Sequence, residues 1–310
     1  MTNCEKEQVL KNYFSQKKSV LIAFSGGVDS SLLAALAAGA SAESSIESLA
    51  VTLKTELVSD EEVENAVLAA KEIGIKHIII EKSVLNIPEI RFNRPNRCYV
   101  CKKEMFQTLL KFAEDNDYEN VIEGTNYSDI DIKNNDRPQM AQNKLRPGFT
   151  ALLELNEIQK KRGENLPRIE TPLADLKIKK AEIREIAQRR KLISADKPSM
   201  SCLATRFSYD ETLTAEMIQT IGIAENRLRE IGLSQIRIRC HVDSKQRRIA
   251  RIEIEKNEIN LISKTGNGEK IESLISFLKQ NGFSYVTVDL EGFRSGSMDE
   301  NGNENDGGGQ

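Results

Sequence analysis

Residues 24–31 read FSGGVDSS, set directly after the apolar run SVLIAF and directly before SLLAALAAGA. Ser19 to Phe24 reads as a short buried strand and Ser30 to Gly39 as a helix, so the stretch is a strand-to-helix turn. Gly26 and Gly27 let the backbone turn sharply and approach a ligand without a Cβ in the way. The following helix aims its N–H groups and positive dipole end at the turn, a geometry that binds phosphate. No Lys follows the glycines, so this is not the GxxxxGK[ST] loop, and GxGxxG is absent too. What remains is an anion cradle of backbone N–H groups and the hydroxyls of Ser25 and Ser30, with Asp29 able to hold Mg²⁺. Such a cradle suits a pyrophosphate that leaves as a unit with its metal. The plain alternative is a Gly-rich turn capped by serine.

Three cysteines form a second constellation. Cys98 and Cys101 stand in RCYVCK at the start of a helix, and Cys202 stands in the loop KPSMSCLATR. Three thiolates are one short of a closed four-Cys zinc site. They suit a [4Fe–4S] cluster with one iron open to a non-protein ligand. A fourth ligand from His77 or His241 would instead complete a Cys₃His zinc site, and a redox CxxC is a third reading, weakened by the lack of a thioredoxin-like context. Cys202 as a plain loop thiol fits poorly beside Pro198, Arg206 and a polar loop. Cys4 and Cys240 read as an exposed thiol and a strand thiol.

Strand and helix signals alternate around these residues. Segments 46–53, 76–81 and 119–124 read as strands, and 59–74 and 102–115 as helices, with Ser59 and Glu62 forming a capping box. The expected fold class is α/β, a doubly wound parallel sheet with ligands at the carboxyl ends of its strands. SGGVDS and EGTNYSD follow two such ends and would face one crevice. Segment 129–170 reads as loop with one helix, 177–192 as a helix. From 214 a smaller α+β pattern follows: a helix (214–232), two alternating strands (234–242 and 247–255) with a turn at 243–246, a helix (268–282) and a strand (284–293). The expected domains are 1–205, 206–296 and a polar, Gly-rich tail, 297–310, expected to be disordered.

The chain has 310 residues, 29% of them charged, with net charge −3 and no Trp. That length leaves room for two domains and ample core. The overall charge gives no nucleic-acid signature. No apolar run is long enough to span a membrane, and MTNCEKEQVL lacks the apolar core of a signal peptide, so the expectation is a cytoplasmic protein whose cysteines are ligands, nucleophiles or bystanders.

SGGVDS resembles the SGGxDS motif of the PP-loop, or N-type, ATP pyrophosphatases, which cleave ATP between its α and β phosphates and adenylate a substrate oxygen. The resemblance extends further. EGTNYSD, RPNRCYVCK, TPLADLKIKKAEIREIA, KPSMSCLATRFSY, RIRCHVDSKQRRIARIEI and VTVDLEGFRSGSM occur in the order seen in the LarE family of ATP-dependent sulfur transferases. That family adenylates a carboxylate of a pyridinium dicarboxylate mononucleotide and replaces it with a thiocarboxylate for the nickel-pincer nucleotide cofactor. The resemblance implies that Ser25, Gly26, Gly27, Asp29 and Ser30 hold ATP and Mg²⁺, with Asp129 near the nucleotide and Arg97 on phosphate. It implies that Arg206, Arg237 and Arg239 meet the phosphate of the nucleotide substrate, and that Glu225 binds metal or orients substrate. Arg237 and Arg239 fall on one strand face, whose plain reading is a solvated face. Cys202 matches the cysteine that single-cysteine members sacrifice to dehydroalanine. The added CxxC resembles the three-cysteine branch, in which a cluster delivers an extra sulfide. One departure is DIDIKNNDRPQMAQNKLRPG, with RP pairs at 137–138 and 146–147 where the family has one.

The competing readings are a PP-loop tRNA thiolation enzyme, an ammonia-dependent amide ligase that would not need the cysteines, and a non-enzymatic iron–sulfur or zinc carrier. The expected partners are a small nucleotide substrate, sulfide or another sulfur donor, and further copies of the chain, with strands of the second domain pairing between copies.

Overall fold

The computed structural model describes residues 2–44, 46–130, 146–198, 200–262, 264, 266–294 and 296–298. In chain order the elements are α1 (Asn3–Ser15), β1 (Ser19–Ala23), α2 (Val28–Ser44), β2 (Glu47–Lys54), α3 (Asp60–Ile73), β3 (His77–Glu81), α4 (Pro88–Arg91), α5 (Arg97–Asp115), β4 (Asn120–Ile122) and α6 (Tyr127–Ile130). There follow α7 (Pro147–Arg162), β5 (Arg168–Glu170), α8 (Pro172–Asp175), α9 (Lys180–Arg189), a 3₁₀ turn (Leu203–Arg206), α10 (Ala215–Arg229), β6 (Ile236–Val242), β7 (Arg248–Ile254), α11 (Ile259–Ile262), α12 (Gly268–Gln280) and β8 (Phe283–Val288).

β1 is SVLIA, and its Val20, Leu21 and Ile22 are each fully buried. A strand buried on both faces needs apolar residues at every position, which is how parallel strands under helices read. Val20 and Ile22 face one core layer, with Leu32, Leu33 and Leu36 of α2, Leu10 and Phe14 of α1 and Ile183 and Ile186 of α9. Leu21 faces the opposite layer, with Phe106 and Leu109 of α5 and Leu152 and Leu155 of α7. The sheet order is β3-β2-β1-β4-β5, and every neighbouring pair is parallel. This is the expected doubly wound α/β sheet. The chain winds from β1 outward through β2 and β3, then restarts at β4 on the other side of β1. The switch between β1 and β4 opens a crevice at their carboxyl ends, and Phe24–Ser31 and Glu123–Asp129 are the segments that leave those ends.

The short helices α4, α6, α8 and α11 were not anticipated, and neither were α1 and β5. α1 is a polar helix whose N-cap Thr2 accepts from the Glu5 N–H while Glu5 reaches back to the Thr2 N–H. β5 holds only three residues, in the segment expected to be loop with one helix. Residues 131–145, which include the first RP pair, lie outside the described residues.

The chain divides into two units: Met1–Thr55, Asp60–Val84 and Asn96–Met200 form the first, and Glu56–Ser59, Leu85–Pro95 and Ser201–Gln310 the second. In the second, β6 and β7 form an antiparallel hairpin and β8 joins β7 in parallel. β8 ends at Val288, short of the expected 293, because the Asp289 side chain accepts the Glu291 N–H and Gly292 turns the chain at φ +81°. The expected tail begins with a fixed residue: Ser297 is buried, and its hydroxyl donates to Glu253 Oε1 at 2.6 Å. Residues 299–310 lie outside the described residues.

Candidate functional site

The SGGVDS turn forms a self-bonded loop at the head of α2. The Ser30 hydroxyl donates to Gly27 O at 3.1 Å and accepts the Ser25 N–H at 3.3 Å, and the Gly27 N–H donates to Ser25 Oγ at 3.3 Å. Gly26 sits at φ +69°, and a Cβ there would lie 2.7 Å from Ala66 Cα and 2.9 Å from Ala66 N on α3. Both the dihedral and the close approach require glycine. The loop lines a cleft of about 500 Å³ within the first unit, together with Asn126, Asp129, Arg146, Lys180 and Lys197.

Asp29, in the first turn of α2, faces the loop after β4. Asn126 Nδ2 donates to Asp29 Oδ1 at 3.2 Å and to Asp129 Oδ2 at 2.7 Å, so one amide ties both carboxylates together. Lys180 Nζ pairs with Asp29, and Arg146 Nη1 pairs with Asp129 at 2.8 Å. Burial raises the Asp29 pKa above its ordinary value; Lys180 pulls the other way and Asp129 adds to the rise. Asn126 Oδ1 is buried and has no hydrogen-bond donor among the described residues. Two carboxylates and an orphaned amide oxygen make a hard oxygen set, the donor type that suits Mg²⁺.

Behind this loop, Glu123 is buried and accepts from Lys102 Nζ at 2.6 Å and the Thr125 N–H at 2.7 Å. Burial alone would raise its pKa; Lys102 and Thr125 outweigh it and hold the carboxylate below its ordinary value. Lys102 follows Cys101, so this ion pair fixes the cysteine-bearing turn of α5 to the end of β4. Arg97, the first residue of α5, is buried and does not line the cleft.

Cys98 is exposed and Cys101 half-buried, three apart and so on one face of α5, with Cys101 Sγ 3.7 Å from Met105 Sδ. Cys202 belongs to the second unit and is exposed. All five cysteines are described, and none is in a disulfide. As donors, accessible thiols fit a soft metal or cluster. Among the described residues, no group of three His, Cys, Asp or Glu is assembled to hold a metal ion. His77 Nε2 meets the Thr52 hydroxyl at 2.8 Å, while His241 Nε2 is buried without a partner among the described residues; burial lowers the pKa of both. Cys4 is an exposed thiol on α1 bonded by Arg189, and Cys240 is fully buried in β6, where desolvation pushes its thiol to about 12.

In the second unit the arginines are neither solvated nor bare. Arg206 is completely buried, and its Nε and Nη2 donate to Glu225 Oε1 and Oε2 at 2.8 and 2.9 Å. Its Nη1 donates to Ser201 O at 2.8 Å and Cys202 O at 3.2 Å, so it holds the Cys202 loop. Asn93, in the left-handed region at φ 47°, holds the other side of that loop through Ala204 O, Phe207 O and Ser208 O. Glu225 also accepts the Ile238 N–H at 2.9 Å. Arg239 Nε donates to Glu253 Oε2 at 2.9 Å, and Arg251 pairs with the same carboxylate at 3.0 Å. Arg237 is buried with its guanidinium 5.4 Å from the Phe293 ring centre; burial, then Arg206, lowers its pKa to about 10. Glu225 and Glu253 thus face three buried arginines, Arg206, Arg237 and Arg239, and two half-buried ones, Arg229 and Arg251, an excess of positive charge.

Asn126, Lys180, Lys197, Lys102, Glu123, Asn93 and Glu253 were not singled out from the sequence. All but Asn93 lay within quoted motifs, yet only their partners far away in the chain show what they do.

The Asparagine synthase family matches residues 7–90, the span of β1 to β3 with the SGGVDS turn. An uncharacterized protein of Synechocystis is 35% identical over 294 residues, covering 94% of this chain and 96% of its own. One of Methanocaldococcus jannaschii is 34% identical over 288 residues, covering 92% and 94%. Pyridinium-3,5-bisthiocarboxylic acid mononucleotide synthase of Lactiplantibacillus plantarum is 30% identical over 301 residues, covering 96% and 95%. With that identity spread over nearly the whole length and the SGGVDS turn at the switch of a parallel sheet, the chain belongs to the LarE family, on the PP-loop fold.

Proposed function

We propose that this chain is an AMP-forming, ATP-dependent sulfur transferase that converts a carboxylate of a pyridinium dicarboxylate mononucleotide into a thiocarboxylate. The observation that carries the reading is the Gly26–Gly27 cradle at the β1–β4 switch, facing an oxygen-rich Asp29–Asn126–Asp129 cluster. The name of the Lactiplantibacillus relative supplies the substrate class.

The Ser25–Ser30 loop binds the phosphates through N–H groups and hydroxyls. Asp29 and Asp129 would hold Mg²⁺, which supplies positive charge to the departing pyrophosphate. The substrate carboxylate oxygen attacks the α phosphorus, and the bond to the β-bridging oxygen breaks. A carboxylate is a poor electrophile, whereas the acyl adenylate carries a good leaving group. A sulfur nucleophile then attacks the carbonyl carbon and AMP departs with the oxygen it took. Arg237 and Arg239 give the second unit the charge to receive the substrate's phosphate, and a bound anion would offset the burial and the arginine repulsion that lower the Arg237 pKa. Arg206 and Glu225 act together by fixing the Cys202 loop. Cys98, Cys101 and Cys202 would hold a [4Fe–4S] cluster, which supplies the sulfide to be transferred. The working protein is a homo-oligomer, with the edge strand β8 available for pairing, since Glu225 takes the Ile238 N–H and Phe207 bridges Cys240 along β6.

The test is metal and turnover together. Anaerobically reconstituted protein should carry iron and acid-labile sulfide, lost in Cys98→Ala, Cys101→Ala or Cys202→Ala, and should form thiocarboxylate with ATP. Tightly held zinc without iron would make the cysteines structural. Turnover surviving in the triple variant would sink the sulfur-transfer role of all three.

A further inference from the structure

The cleft contains a cation that the fold alone does not need. A polyphosphate brings several negative charges, and this loop lacks the lysine that a GxxxxGK[ST] loop carries. Lys180 is paired with Asp29 and Arg146 with Asp129. Lys197 differs. It lines the same cleft as Gly26 and Gly27, and its Nζ is buried with no hydrogen-bond partner among the described residues.

Its backbone is fixed. Arg184 Nη1 donates to Ala195 O at 2.9 Å and Nη2 to Lys197 O at 3.0 Å, and the Lys197 N–H bonds to Ser194 O at 3.3 Å. Pro198 follows and restricts the Lys197 backbone to extended conformations. Arg184 and Lys180 lie on α9, so one helix sets both cleft lysines. Glu61 and Glu72 on α3 add a favourable field, but burial dominates and lowers the lysine's pKa. An ammonium withdrawn from water without a partner destabilises the protein that carries it, unless an anion arrives.

The geometry points to Lys197 as the cation that receives the β and γ phosphates of ATP and stays with the pyrophosphate as it leaves. This rests on the nucleotide reading of the cleft and assigns that site a residue outside SGGVDS. Lys197 does for this loop, from a segment about 170 residues later in the chain, what the lysine inside a GxxxxGK[ST] loop does there.

The test uses the full chain and measures binding of inorganic pyrophosphate, ATP and AMP, each with Mg²⁺, by calorimetry, alongside the thermal midpoint without ligand. Lys197→Met should weaken pyrophosphate and ATP about tenfold or more, as loss of a charge-assisted contact does, and change AMP by less than about twofold. Its midpoint without ligand should hold or rise, since an unpartnered buried charge is gone. Lys197→Arg should recover part of the pyrophosphate affinity. Unchanged pyrophosphate affinity in Lys197→Met, or equal losses of AMP and pyrophosphate with a lowered midpoint, would overturn the assignment and leave the nucleotide site standing. A wild-type chain that binds neither ATP nor pyrophosphate would overturn both.

Discussion

Replacing Arg206 separates a residue that builds the site from one that merely lines it. The guanidinium is completely buried and donates to both oxygens of Glu225, to Ser201 and to Cys202 O. In Arg206→Met the Glu225 carboxylate, 1% exposed, keeps the Ile238 N–H at 2.9 Å and an arginine, Arg229, at 3.7 Å. Removing one partner of a buried ion pair costs about 3–5 kcal/mol, because the remaining charge is left under-compensated. For a unit of this size that lowers its thermal transition by about 10 °C or more. The assay is calorimetric melting with ATP-dependent thiolation measured well below the transition. The double variant Arg206→Met/Glu225→Gln removes both charges of this pair and keeps an acceptor for the Ile238 N–H. It should recover a large part of the midpoint, and the cycle should show strong coupling. Thiolation should stay impaired in the double variant, because Ser201 O and Cys202 O have lost their donor. An Arg206→Met protein that melts like wild type and only binds the nucleotide substrate more weakly would refute this reasoning and return Arg206 to substrate contact.

Gly26→Ala places a Cβ at φ +69° and 2.7 Å from the α3 backbone, strain and overlap that together cost about 2–5 kcal/mol. Melting temperature and ATP affinity should both fall, and a variant with normal values would contradict the close approach. Half-buried His241, with its Nε2 out of water, bears on acid stability. Its folded pKa is depressed, so its contribution is fully present above the unfolded value of ~6.5 and is lost as pH falls through the folded value. Wild type should therefore lose melting temperature between pH 7 and pH 5 more steeply than His241→Gln, and parallel curves would rule out a desolvated neutral imidazole.

The sequence disclosed what is local and left out what is made by distance. FSGGVDSS was readable because a strand, a glycine pair and a helix start follow within a few residues, and the parallel sheet was readable from unbroken apolar runs such as SVLIA. β5 escaped because three residues carry no period. Arg206 and Glu225 were each singled out, but as substrate ligands; that they are each other's partner depends on how α10 packs on the turn after Cys202. Arg237 and Arg239 share a strand face as expected, yet the face is buried rather than solvated, with Arg239 paired to Glu253. Lys197 looked like the edge of the KPSMSC motif, and only the cleft gives its ammonium a purpose.

The most direct test of the account follows one oxygen. Substrate carboxylate labelled with heavy oxygen is incubated with ATP, Mg²⁺, the reconstituted protein and a sulfur source, and the nucleotide products are weighed. Adenylation of the carboxylate predicts one heavy oxygen in the phosphate of AMP, none in pyrophosphate, and thiocarboxylate in step with AMP. Heavy oxygen in inorganic phosphate with ADP as the product, or unlabelled AMP, would contradict the central claim.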